Sequence, residues 1–111
     1  MEVASQNATK IPALTCKVTH AGKYLAIAMG GAYCLSATSM NIWLGKNNTA
    51  EESTRQLLMW ANAADRLSIG IQYVFDLSAN DEVNFFLANN GGGNVSAFLR
   101  KGFSLAIIRI G

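Results

Sequence analysis

Every odd position from Leu67 to Leu77 is apolar: Leu67, Ile69, Ile71, Tyr73, Phe75 and Leu77 alternate with Ser68, Gly70, Gln72, Val74 and Asp76. Successive side chains of a strand point to opposite faces of a sheet. A sustained period of two therefore predicts a strand with one face in a core. The same period appears earlier, where Leu14, Cys16 and Val18 alternate with Thr15, Lys17 and Thr19, predicting a strand over 14–20 that turns at Ala21 and Gly22. Over 23–29 the two faces are Leu25, Ile27, Met29 and Tyr24, Ala26, Ala28. Both are apolar, which suggests a strand buried on both sides, one cover coming from a neighbouring subunit. Gly30 and Gly31 are expected to break it.

Residues 33–39 and 40–44 read as two strands or one long bent strand, with a turn cluster at 45–49. Segment 50–66 is ambiguous. Thr49 to Glu52 has the form of a capping box followed by good helix formers, and Leu57, Trp60 and Ala64 would share a helical face. The β context favours a strand over about 54–62, since tertiary context overrides propensity in short segments, and a strand is expected there. Strands over 82–89, 95–99 and 103–110 follow. In the last, Phe103, Leu105 and Ile107 share one face while Ala106, Ile108 and Ile110 share the other. About eight short strands joined by Gly/Asn turns predict an all-β, antiparallel jelly-roll sandwich. Residues 1–13, closed by Pro12, are expected to form an extended arm ahead of a domain spanning 14–111.

Composition adds one inference. The chain has 111 residues, half of them hydrophobic and 14% charged, against a usual charged share of about 25%. A small domain with so little charge is expected to face protein over part of its surface. The net charge is +2 without a basic run, which argues against nucleic-acid binding. No apolar run reaches the roughly 18 residues that span a bilayer, so no membrane partner is expected. The first residues lack the charged and apolar regions of an export signal, so synthesis in a cytoplasm is expected.

Candidate chemistry is sparse. His20 is the single histidine, and Cys16 lies four residues before it. On a strand that spacing is about 13 Å, too far for one metal ion. Cys16 and Cys34 fit free thiols in a reducing compartment. Asp76, Asp81 and Glu82 could offer oxygen ligands, but a turn role for Asp81 and a solvated Glu82 explain them more simply. The glycines at 91–93 lack the Lys-Ser/Thr of a phosphate loop. Trp43 and Trp60 read as core or interface anchors. No catalytic residue, cofactor or metal is expected.

Several motifs occur in a telling order. Gly22 and Tyr24 open a strand after the first turn, and residues 41–47 form a strand ending in a polar turn. Phe75, Leu77, Asp81 and Val83 spell apolar-x-Leu-x-x-x-Asp-x-Val; the glycines at 91–93 and then Gly102, Phe103 and Leu105 follow. Over about residues 14–110 this resembles the trimeric jelly roll shared by tumour necrosis factor and the globular heads of complement-type proteins. The chain is shorter than the usual family member, and segment 50–66 has no clear counterpart.

The resemblance implies a homotrimer with the closing strand near the threefold axis. Tyr24, Ala26, Ala28, Phe103, Leu105, Ile108 and Ile110 are the expected interface. Compact domains of this kind resemble virion proteins, bacteriophage decoration proteins in particular. The implied function is a capsid decoration protein cementing the shell at threefold or quasi-threefold positions, with the major capsid protein or another virion protein as partner. Val3, Ile11 and Pro12 would dock the arm. The alternative is a receptor- or glycan-recognition module using exposed loops at Asn47, Asn48, Asn89, Asn90 and Asn94.

Overall fold

A computed structural model describes residues 2–3, 9–34, 38–62, 66–90 and 95–111. Ten strands run through them: β1 (Glu2–Val3), β2 (Thr9–Lys17), β3 (Gly22–Cys34), β4 (Thr38–Lys46), β5 (Thr49–Ala50), β6 (Gln56–Trp60), β7 (Arg66–Leu77), β8 (Glu82–Asn89), β9 (Val95–Leu99) and β10 (Ser104–Arg109). One turn of 3-10 helix, Glu52–Thr54, precedes β6. All pairings are antiparallel and form two five-stranded sheets. In the first, β7 lies along one edge of β3, while β10 and β9 lie end to end along its other edge, with β1 outside β9. In the second, the order is β2, β8, β4, with β6 and β5 end to end beyond β4. The chain changes sheet between β1 and β2, β2 and β3, β3 and β4, β6 and β7, β7 and β8, and β8 and β9. This alternation makes an all-β jelly-roll sandwich.

The core lies between the sheets. From the β4 sheet come Met40, Ile42, Leu44, Val83, Phe85 and Leu87; from the β3 sheet come Tyr24, Ala26, Ala28, Ile69, Ile71, Phe75 and Leu77. The Phe85 and Phe103 rings meet across the gap at 5.2 Å. Gly30 permits that contact. A Cβ there would stand 2.6 Å from Phe103 Cα, and its φ of +149° is one that L side chains rarely adopt. The strand does not break at this glycine as the sequence suggested, because β7 pairs with β3 without interruption from Gly22 to Tyr33. Residues 33 and 34 therefore end β3 and do not open the next strand.

The expected arm is also corrected in part. Thr9–Ala13 belong to β2, and Ile11 is buried in the core. Pro12 is exposed where the β2–β8 register shifts, between Lys10 and Thr15. An edge strand tolerates a residue without a donor at such an irregularity. Val3 pairs in register with Val95 of β9. Segment 50–66 resolves toward the strand reading, with β6 at Gln56–Trp60. The 3-10 turn ahead of it is closed by Glu51, whose carboxylate accepts from the Ser53 N–H.

The buried alanines of β3 fix how closely the sheets approach. Ala28→Leu should lower the unfolding free energy by about 1–3 kcal/mol, because added methylenes have no free volume to enter. A urea titration against the unsubstituted protein measures it, and an unchanged midpoint would contradict the packing described.

Candidate association surface on the β3 sheet

The face of the β3 sheet that points away from the core carries a field of apolar side chains. Strand register assembles it in rows. Ile108, Leu25 and Val74 lie side by side across β10, β3 and β7; the next row is Ala106, Ile27 and Gln72, and the next Ser104, Met29 and Gly70. Ile110 extends the field past the end of β10, where its N–H donates to the Lys23 carbonyl at 2.8 Å. Met29 is 56% exposed, Ile110 55%, Ile108 52% and Val74 46%. Isolated exposed apolar side chains are ordinary, but a contiguous set marks a surface that meets another molecule.

Polar groups close the field at both ends. At one end Lys23 Nζ meets Asp76 Oδ1 at 3.0 Å, an exposed pair worth little to stability. At the other the rings of Tyr33 and Phe98 stack at 5.0 Å, with Arg66 opposite Tyr33 in register. The Arg100 side chain lies over Gly31. An apolar centre with a polar rim is the usual anatomy of a protein interface.

Only part of this face matches the expected interface. Ile108 and Ile110 are on it. Tyr24, Ala26 and Ala28 are not: they are buried, with Ala26 and Ala28 at 0% exposure, and point at the other sheet. Phe103 and Leu105 also pack against the core. Both faces of β3 are apolar, so periodicity could not say which one turns inward. Leu25, Ile27, Met29, Val74 and Ala106 were missed. A signal for them was present: Lys23 shares the parity of Leu25, Ile27 and Met29, and a charged residue marks the solvent side of a strand.

The asparagines expected in exposed recognition loops are largely structural. Asn47 and Asn48 form the two-residue turn between β4 and β5, with φ of +50° and +67°, as the tightest hairpins require. Asn47 also ties that turn to β8. Its N–H donates to the Glu82 carbonyl, its Nδ2 donates to Asp81 Oδ1, and its Oδ1 accepts from the Glu82 N–H, each at 2.9 Å. The Asn48 N–H donates to Asn84 Oδ1 at 2.8 Å, and Asn48 Oδ1 accepts from Lys10 Nζ at 2.6 Å. Asn89 is fully buried and accepts from Thr38 Oγ1 at 2.7 Å. Asn90 accepts from Asn41 Nδ2 at 3.0 Å. Asn94 lies outside the described residues.

The remaining chemical candidates also have structural places. Cys16 and Cys34 are free thiols. Cys16 Sγ donates to the Leu105 carbonyl at 3.4 Å across the seam between sheets, and burial pushes the Cys34 thiol up to about 11. The His20 carbonyl accepts from Tyr24 Oη at 2.8 Å while its side chain is exposed. Trp43 packs with Phe86 and Ala88 on the outer face of the β4 sheet and donates to Glu52 Oε2, whereas Trp60 is in the main core. Among the described residues no three His, Cys, Asp or Glu side chains gather to hold a metal ion. Compared with known proteins, the sequence matches no family model and no curated protein.

Asp81 supplies a pH test. The Asn47 amide, then the Ser78 N–H (2.8 Å to Oδ2), hold its carboxyl below the ordinary value. A carboxyl lowered by folding contributes stability that is full above its unfolded pKa of about 4 and is lost as pH falls through the folded value. Asp81→Asn should therefore lower the urea midpoint at pH 7, and the gap should shrink as the pH falls below the unfolded value of about 4. A gap independent of pH would contradict the role given to Asn47.

Proposed function

We propose that the protein is a structural module without catalytic chemistry, which associates as a homotrimer through the outer face of the β3 sheet. The observation that carries this reading is the unbroken apolar field of Leu25, Ile27, Met29, Ala106, Ile108 and Ile110. Burying the half-exposed Met29, Val74, Ile108 and Ile110 contributes on the order of 1 kcal/mol each. Association costs more than four such terms supply, at roughly 4–15 kcal/mol, so the whole field must take part.

Threefold closure comes from the sequence resemblance to trimeric jelly rolls. On the same resemblance we propose that the trimer decorates a virion shell, binding a capsid protein at threefold or quasi-threefold positions and cementing it by apolar burial. The recognition alternative draws less support, because Asn47, Asn48, Asn89 and Asn90 are engaged within the domain.

Sedimentation should give three times the 11.9 kDa chain mass, or a whole multiple of that trimer where trimers pair, at micromolar concentration. Ile108→Glu should abolish threefold association, leaving no species larger than two chains and an unchanged circular dichroism spectrum, since Ile108 contributes nothing to the core. A monomeric unsubstituted protein would refute the trimer. Co-purification with capsid shells at saturating stoichiometry would support decoration, and failure to bind any shell of the host virus would refute it.

A further inference from the structure

The outer edge of β7 has the geometry of an unfinished sheet. Lys23 of β3 directs both backbone groups away from β7. Its N–H donates to the Gly111 carbonyl at 3.1 Å, and its carbonyl accepts from the Ile110 N–H at 2.8 Å. In an antiparallel ladder, the N–H and C=O of one residue point to the same side, and that side alternates along the strand. Odd residues of β3 therefore bond toward β10, and even residues toward β7.

Through the β3–β7 register, the odd residues of β7 bond to β3. The even ones, Ser68, Gly70, Gln72, Val74 and Asp76, present N–H and C=O outward. Two contacts agree with this phase: Gln56 Nε2 donates to the Gly70 carbonyl at 3.3 Å, and Lys46 Nζ to the Asp76 carbonyl at 3.4 Å. Among the described residues, β3 is the only strand that pairs with β7. Proteins usually blunt such an edge with proline, lysine, a bulge or a short strand. Here twelve residues run without proline, lysine or a register shift.

We propose that β7 pairs antiparallel with β7 of a second copy, continuing the β3 sheet across a twofold axis beside Gln72. Side-chain fit favours this occupant. A Cβ on Gly70 would meet nothing within 4 Å. Gly70 sits in an open groove of about 370 Å³ with Ile27, Met29, Gln56, Ile71 and Gln72. With Gln72 opposite its own copy, Val74 of the second chain falls directly opposite Gly70 and brings a half-exposed apolar side chain to the vacancy. Arg66 of each chain then lies diagonally across from Asp76 of the other, within reach for long side chains of opposite charge. The twofold makes both contacts occur twice. Gln56 and Lys46 are exposed and can yield their two carbonyls to main-chain donors. The pairing rests on the main-chain edge of β7 and the proposed trimer on the β3 and β10 columns of the face, with Val74 at the border between them, so neither inference depends on the other.

Cross-linking tests it. In this register the two Gln72 Cα atoms lie about 5.5 Å apart, inside the range a disulfide spans. Under mild oxidation Gln72→Cys should yield a covalent dimer on a non-reducing gel. Asp76→Cys, whose copies would lie about 27 Å apart along the strands, should stay at the background set by native Cys16 and Cys34. A folded Gln72→Cys protein that does not cross-link, or an Asp76→Cys protein that cross-links equally well, would overturn the pairing. The first would leave the edge open to a foreign strand, and the second would indicate a shifted register. Gln72→Pro gives an independent readout, because it removes only an outward donor. It should abolish twofold association, and a mass equal to that of the unsubstituted protein would also overturn the proposal.

Discussion

Two packed sheets stand about 10 Å apart, and side chains from both must fill that thickness without overlap. The β4 sheet fills much of it with Met40, Ile42, Leu44, Phe85 and Leu87. Opposite them β3 can offer only small side chains over its middle, Ala26 and Ala28, both fully buried. Strand geometry then leaves no choice about the other face. With alanines inward, Leu25, Ile27 and Met29 turn outward, and the β3–β10 register places Ala106 and Ile108 beside them. The apolar outer face is thus a consequence of core packing.

The same constraint reaches the closing strand. Gly30 lets Phe103 come close enough to β3 for its ring to meet Phe85. That anchors the start of β10, which puts Leu105 and Ile107 against the core and Ile108 and Ile110 outside. At the far side of the sandwich the asparagines serve as fasteners. Asn47 joins the β4–β5 turn to the start of β8, and Asn48 accepts from Lys10 on β2 while donating to Asn84 on β8. One end of the β4 sheet is thereby held by side-chain amides in place of apolar contacts.

Much of the fold is legible in the sequence. The strands at β7, β8, β9 and β10 follow from alternation, and their bounds differ from expectation by a residue or less. Alternation is clearest at β7, where buried apolar residues alternate with exposed and mostly polar ones. It fails at β3, where both faces are apolar and side-chain volume decides. It fails again at Gly30 and Gly31, where glycine admits a close neighbour and no turn forms. Pro12 misled for a related reason: at a shifted register on an edge strand it is tolerated without ending β2. The candidate surface was therefore half visible. Surplus apolar residues point to such a surface, and Ile108 and Ile110, expected at an interface, lie exposed on this outer face. For β3 the one sequence signal was the charged Lys23, which shares the parity of Leu25, Ile27 and Met29; the rows they form with β7 and β10 depend on the strand register.

The central claim is that the outer face of the β3 sheet is covered in solution. Methyl NMR with a soluble paramagnetic probe tests this without any substitution. Met59, 69% exposed on β6, serves as the uncovered reference. The account predicts that the methyls of Leu25, Ile108 and Ile110 relax far more slowly than that of Met59 at micromolar concentration and above. If Ile108 and Ile110, half exposed in the single chain, relax as fast as Met59, the face is bare and the account is wrong.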